Sequence, residues 1–170
     1  MARLTDFLRG PTVSLFGDSK YQYRETYFVL FNSDDCPSPE DVQMVLGSLG
    51  PRYETVNLQK TEEGFESMTV KSPRDFSAMD IIYTQGEEVT TQIEEIQEAM
   101  RNATLSGDDI KKVTALKNFD ARFEIFHFEE TATATEDDQF LDPGGLLLVL
   151  EALAELCNGV ALDPQSNSLM

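Results

Sequence analysis

The sequence predicts an α+β fold in which helices pack on a mainly antiparallel sheet. Three observations predict this class. Several short runs alternate apolar and polar residues, as strands do, and two of them are joined by a hairpin-length turn at 61–64. Two segments carry apolar residues at spacings of three and four, as amphipathic helices do. A third helical segment, near the C-terminus, is apolar nearly all round and must be covered by other elements.

The length of 170 residues is within the range of one domain, whose core can bury roughly 70% of the unfolded surface. We predict a single domain over 1–170, with a peripheral N-terminal segment at 1–20. A polar segment at 130–141, rich in threonine and acids, predicts a mobile acidic loop, and the turn-rich stretch 163–170 predicts a frayed tail.

The charge balance disfavours two classes of partner. Thirteen basic and 31 acidic residues give a net charge of −18. Such a surface repels phosphate backbones and anionic lipids, so we expect no nucleic acid and no membrane as partners. After Lys117 the only base is Arg122, against eleven acids, which places more than half of the net charge in the last third. That asymmetry could steer a basic protein partner, or simply keep the protein soluble.

Residues 1–9 lack the apolar core and cleavage site of a signal peptide, so a cytoplasmic location is expected. Two cysteines, Cys36 and Cys157, are too few for a disulfide framework.

The first half of the chain predicts a central strand and a helix. The segment 21–31 is extended, and both of its faces are apolar over its last five residues, as in a strand covered on both sides. Ser38 and Pro39 then provide an N-cap and a first helical residue, and the Gly-Pro pair at 50–51 ends that helix.

Further strands are predicted at 53–59, 65–71, 78–84 and 119–129. Between the last two lie the clearest amphipathic helix, at 87–103, and a shorter helix at 108–116.

The apolar C-terminal helix has start and stop signals of its own. Asp142 is the predicted N-cap, Pro143 the first helical residue and Gly159 the left-handed residue that ends the helix. Only Glu151 and Glu155 interrupt the apolar run, and they share one narrow stripe. The helix is shorter than the roughly 20 apolar residues of a membrane span.

With a short strand at 160–162, the predicted order is β-α-β-β-(β)-α-(α)-β-α-β. Its central part matches the ferredoxin-like split β-α-β plan, in which two helices lie on one face of the sheet. The C-terminal α-β unit would extend that sheet or cover its other face. Because this plan hosts many unrelated functions, it implies none of them.

The sequence contains none of the common phosphate-binding, metalloprotease, dithiol or serine-hydrolase motifs. Its one histidine excludes zinc sites built on several histidines, so we expect no cofactor and no metal. The acidic runs 34–35 and 136–138 lack the alternating spacing of a calcium loop and are interpreted as solvated loops.

Three side chains remain as candidates for a site. Cys36 lies two residues before a helix N-cap, where the helix dipole lowers a thiol pKa while Asp34 and Asp35 raise it. His127 falls on the apolar face of its strand, which favours a hydrogen-bonded core histidine over a general base or pH sensor. Tyr27 lies on the first strand, and a pairing of Cys36 with His127 is topologically possible.

We therefore predict a non-catalytic protein-interaction module that uses an acidic face or a sheet edge. The alternative is a small-molecule-binding or enzymatic domain, with a cleft beside the sheet that uses Cys36, His127 or the tyrosines Tyr21, Tyr23 and Tyr27. Self-association is a third possibility.

Overall fold

The computed structural model describes residues 14–131 and 144–170. Several predicted features lie outside these ranges, namely the helix cap Asp142, the first helical residue Pro143, most of the acidic loop and residues 1–13.

Within the described ranges the chain forms seven strands and four α-helices. The strands are β1 (Tyr21–Phe31), β2 (Glu54–Thr61), β3 (Gly64–Ser72), β4 (Ser77–Gln85), β5 (Ala121–Glu130), β6 (Val160–Asp163) and β7 (Ser168–Leu169). The helices are α1 (Pro39–Ser48), α2 (Glu87–Met100), α3 (Gly107–Leu116) and α4 (Gly144–Leu156). As predicted, Ser38 caps α1, since its hydroxyl accepts a bond from the Asp41 amide.

The strands form one sheet in the order β2-β3-β4-β5-β1-β6-β7, and every neighbouring pair is antiparallel. This confirms the predicted α+β class with helices on an antiparallel sheet. No helix among the described residues has the length and apolar character needed to cross a membrane.

The helices cover both faces of the sheet. Phe123 and Ile125 of β5 pack in one cluster with α1 and α4, and we call this side the α1/α4 face. Leu30 of β1 packs in a second cluster with α2 and α3 on the opposite side, the α2/α3 face. The ferredoxin-like plan, in which two helices lie on one face, is not confirmed, because α1 and α2 lie on opposite faces of the sheet. Periodicity shows that a helix has an apolar stripe, but not which side of the sheet that stripe covers.

A third cluster lies at the other end of the α2/α3 face. Leu15, at the start of a short 3-10 turn, is buried there against Ala78 and Phe128. The described end of the predicted peripheral segment is therefore anchored to the sheet.

The end of α4 differs from the prediction. Asn158, and not Gly159, has the left-handed backbone conformation, with φ of 51°. The Gly159 amide donates to the Ala154 carbonyl at 2.8 Å and the Asn158 amide to the Glu155 carbonyl at 3.4 Å, which is the Schellman pattern. Gly159 is needed for a different reason, because a Cβ there would lie 2.5 Å from the Leu30 carbonyl oxygen.

The stretch 163–170, which the sequence predicts as a frayed tail, is paired with β6 in the structure. Leu162 and Asp163 pair with Leu169 and Ser168, and the Met170 amide donates to the Ala161 carbonyl at 2.9 Å. Backbone pairing to β6 therefore holds a stretch whose polar, turn-rich composition alone predicts disorder.

Candidate functional site

One side of α4 is open. Its buried side chains are those of Leu146, Val149, Leu150 and Leu153. Glu151 and Glu155, which share one stripe of the helix, are exposed, but Leu147 and Leu148 are also 43% and 39% exposed. The helix is thus apolar over more of its circumference than the described elements around it cover.

The open side of α4 forms one wall of a groove of about 620 Å³, which we call the α4 groove. Its apolar lining combines α4 with the C-terminal hairpin, namely Leu147, Leu150, Ala154, Ala161 and Met170. Glu151 and Glu155 also line the groove, and Lys112 of α3 is the one cation among its lining residues. The groove can take an apolar group and place two carboxylates beside it.

Three other acids of the last third, all on or next to β5, have partners within the protein. Asp120 accepts bonds from the Ser33 amide and hydroxyl at 2.7 and 2.9 Å. Glu124 is paired with Arg122, and Glu129 lies 3.3 Å from Arg24. Because side chains of a strand alternate, Glu124 and Glu129 point to opposite faces of the sheet. Among these residues, Glu151 and Glu155 are the pair of acids that lies beside the apolar surface of the α4 groove.

A second groove, of about 570 Å³, lies beside α2 around the buried Arg122. The guanidinium donates to Gln92 Oε1 at 2.6 Å, to Glu88 Oε1 at 2.8 Å and, through Nε, to Glu124 Oε1 at 2.9 Å. It also lies over the Phe28 ring, 4.9 Å from the centroid. Since these partners are internal, the guanidinium acts as a structural cation and not as an anchor for an anion.

Cys36 lines a separate cleft of about 400 Å³ together with Tyr83. Burial raises the pKa of the Cys36 thiol, and a hydrogen bond with Tyr83 only partly opposes this. Burial is the main cause that raises the pKa of Tyr83 to about 12, and the neighbouring Cys36 raises it further. A raised thiol pKa disfavours the thiolate, which is the form that acts as a nucleophile.

A bulge in β1 separates the three candidate tyrosines. The register shifts between Tyr23 and Glu25, so that the backbone of Arg24 is not paired with a residue of β5. Tyr21 and Tyr23 consequently lie on the α2/α3 face. There the Tyr23 ring stacks against the Phe16 ring, with 5.5 Å between their centroids. Tyr27 packs against the cluster of the α1/α4 face. The three tyrosines do not line a common cleft.

The same bulge brings Tyr27 and His127 together around Glu25. Glu25 pairs with His127 across the two strands, and its Oε1 lies 3.5 Å from the ring Nδ1. Tyr27, two residues further along β1, lies on the same face of the sheet as Glu25. Burial and then Glu25 raise the pKa of Tyr27 to about 12. Burial lowers the pKa of His127, and Glu25 partly opposes that shift.

Cys36 and His127 do not meet. The neighbour of Cys36, Tyr83, pairs with Phe123, whereas His127 lies four residues further along β5. Four residues of a strand span about 13 Å. Among residues 14–131 and 144–170, no cluster of three or more histidine, cysteine or acidic side chains is arranged to hold a metal ion.

Sequence reasoning missed Glu25, Asp80 and Arg122. Asp80 and Arg122 are polar residues inside apolar strand runs, which is a readable signal for a buried polar contact. Asp80 accepts bonds from the Thr69 hydroxyl at 2.6 Å and the Leu15 amide at 3.0 Å. Glu25 gave no such signal, because its partner depends on the bulge.

The chain matches no protein-family model, no curated protein and no solved structure.

Proposed function

We propose that this protein is a non-catalytic interaction module that binds a basic, amphipathic segment of a partner protein in the α4 groove. The observation that supports this is the combination of the exposed Leu147 with the exposed carboxylates of Glu151 and Glu155 along one side of a helix that is otherwise core. A cytoplasmic location, and a partner that is neither nucleic acid nor membrane, belong to the same proposal.

The chemistry of the groove selects the partner. Apolar side chains of the partner can enter between Leu147, Ala154 and Met170, where they would displace water from apolar surface. Lysine or arginine beside them would face Glu151 and Glu155, and the net charge of −18 would steer such a segment towards the protein.

The length of the groove favours a helical segment. The α4 residues that line it run from Leu147 to Asn158, which is about three helical turns. A helix that lies in such a groove inserts residues at i, i+3, i+4 and i+7 and keeps its charged residues at the rim.

Strand addition at a sheet edge has less support. β2 is the outer strand on one side, and its pairing to β3 is interrupted by register shifts. Asn57 adopts a left-handed conformation in it, and Glu54 and Lys60 are exposed there. Irregular, charged edges of this kind resist pairing with another chain.

The proposal predicts binding of a defined probe. A synthetic 14-residue peptide of leucine and lysine, patterned so that the leucines share one helical face, is titrated by calorimetry. The double variant Glu151→Lys, Glu155→Lys should bind it at least about tenfold more weakly than the wild type, a difference of about 1.4 kcal/mol. Salt should weaken wild-type binding because the rim contacts are ionic.

The matched control is Glu94→Lys with Glu98→Lys, which makes the same charge change at the same spacing on α2. It should retain affinity within about threefold. A scrambled peptide of the same composition should bind poorly. Equal losses in both double variants, or equal binding of the scrambled peptide, would show that only net charge is sensed and would contradict the proposal.

Two alternatives have weaker support. An enzymatic cleft would have to use a Cys36 thiol of raised pKa that is not joined to His127. Self-association through the α4 groove would bring like charges together, which is unfavourable. A dimer seen by light scattering and dissociated by Leu147→Lys would assign the groove to a second copy of the chain.

A further inference from the structure

Part of the α2/α3 face carries exposed apolar side chains. The Phe16 ring is 59% exposed, although its centroid lies only 4.8 to 5.5 Å from those of Tyr23, Phe126 and Phe128. Tyr23 and Ile82 are also exposed, and Phe126 is half-buried. We call Phe16, Tyr23, Ile82 and Phe126 the open strip. None of them belongs to the cluster beneath α2 and α3, so the described helices leave this apolar surface uncovered.

The strand register places the open strip beside the groove at α2. Ile82 pairs with Glu124, and Glu124 pairs with Phe28 of β1, so the three residues form one row across the sheet. Phe28 lines the groove beside α2, and the exposed acids Glu87 and Glu95 line it as well. The open strip is therefore an apolar surface with a negatively charged border along α2.

Residues 1–13, which lie outside the described ranges, are joined to the protein at the edge of this strip. The Ser14 hydroxyl donates to Asp80 Oδ2 at 3.3 Å, and the Leu15 amide donates to the same oxygen at 3.0 Å. Asp80 and Ile82 are two residues apart on β4, so they lie on one face with about 7 Å between them. The chain before Ser14 therefore begins within one strand repeat of the open strip.

The sequence of residues 1–13 complements the strip. Leu4, Phe7 and Leu8 have the spacing of one apolar side of an amphipathic turn. Residues 1–13 also carry two bases and one acid, so their net charge is positive in a chain whose total is −18. The four residues 10–13 can span up to about 14 Å when extended, which is about twice the distance from Asp80 to Ile82. The apolar residues can therefore reach the strip.

We propose that residues 3–9 dock on the open strip of the same chain. The apolar side chains of this segment pack on Ile82, Phe16 and Phe126, and its two arginines face Glu87 and Glu95. Docking removes apolar surface from water on both sides of the contact and completes the cover of the α2/α3 face. The contact is separate from the α4 groove and needs no partner protein.

Charge argues against two other occupants. Residues 132–143 carry four acids and no base, so the acidic border along α2 would repel them. They also lead to α4, which lies on the opposite face of the sheet. A second copy of the chain would bring its own charge of −18 to the contact, which is likewise unfavourable.

The experiment uses tryptophan fluorescence in the full chain. The sequence contains no tryptophan, so Phe7→Trp introduces a single reporter. Acrylamide should quench it at least about threefold less efficiently than Glu62→Trp in the exposed turn after β2, because a packed ring is shielded from the quencher. Adding Ile82→Asp should abolish this protection. Adding Ile110→Asp, which changes another exposed isoleucine on α3, is the matched control and should preserve it.

A second pair of variants covers the case that Ile82→Asp does not fold. Leu4→Asp with Leu8→Asp places two charges on the apolar side of the segment and should also abolish the protection of Phe7→Trp. Ala2→Asp with Thr5→Asp makes the same charge change away from that side and should preserve most of it.

The protection should not change when the protein is diluted about hundredfold, because a contact within one chain does not depend on concentration. Protection that disappears on dilution would assign the open strip to a second copy and overturn the proposal. Equal quenching of Phe7→Trp and Glu62→Trp would overturn it as well. So would protection that survives in a folded Ile82→Asp variant, because the segment would then pack elsewhere.

Discussion

The two faces of the sheet are covered in different ways. On the α1/α4 face, one continuous cluster extends from Phe65 of β3 to Ala161 of β6 beneath two helices. On the α2/α3 face, the helices cover one end, and the cluster around Leu15 at the other end is separate. Outside these two clusters the second face leaves Ile82 37% exposed and Phe16 59% exposed.

The difference follows from the helices themselves. α4 is apolar nearly all round, so it fills the space between the sheet and α1 and still leaves Leu147 exposed in the groove. α2 has one apolar stripe, consisting of Val89, Ile93, Ile96 and Met100, which can cover only a strip of sheet. Polar side chains such as Asp80 and Arg122 are tolerated on the less covered face because each has hydrogen-bond partners there.

The largest loss of stability is expected from substitutions in the continuous cluster on the α1/α4 face. Leu150 and Leu153 are buried on the α1/α4 face, and Leu153→Ala or Leu150→Ala should lower the free energy of unfolding by about 2–5 kcal/mol. Leu147→Ala, on the open side of the same helix, should cost less than about 1 kcal/mol. Urea unfolding measures all three. Losses below about 1 kcal/mol at both buried sites would mean that α4 is not tightly packed.

The next largest loss of stability is expected from a substitution at the C-terminal end of α4. Gly159→Ala should cost about 1–3 kcal/mol, since its Cβ would collide with the Leu30 carbonyl and force β1 and α4 apart. Asn158→Gly should change stability by only a few tenths of a kcal/mol, because glycine also accepts the left-handed conformation. If the two substitutions had equal effects in thermal unfolding, the close approach at Gly159 would not be the cause.

The smallest loss of stability is expected at the separate cluster around Leu15 on the α2/α3 face. Asp80→Ala removes the acceptor for Leu15 and Thr69 and should cost about 1–2 kcal/mol. Hydrogen exchange at the Leu15 amide should accelerate, because that amide loses its partner. Ile82→Ala, on the same strand and face, is the control and should leave this exchange rate unchanged. Unchanged exchange in Asp80→Ala would show that the turn is held by Leu15 packing alone.

Much of the local structure could be predicted from the sequence. The apolar spacing of α2 and the Ser38-Pro39 start of α1 depend on neighbours along the chain, and both are confirmed. The exposure of Glu151 and Glu155 was also predictable, since four residues place them on one stripe. The groove could not be predicted, because Ala161 and Met170 form its second wall. They belong to a C-terminal hairpin, and the composition of 163–170 predicts a frayed tail there instead.

By itself the sequence determined the class of the fold, the number and type of most elements, and the apolar helix that lies at the centre of the larger cluster. These depend on periodicity, capping and turn chemistry, which act over a few residues. Only the tertiary structure decided which face each helix covers, where β1 bulges and which side of α4 stays open. Each of those outcomes depends on contacts between residues far apart in the chain. The Arg24 bulge shows this most clearly, because one unpaired residue separates Tyr23 from Tyr27 and joins Glu25 to His127.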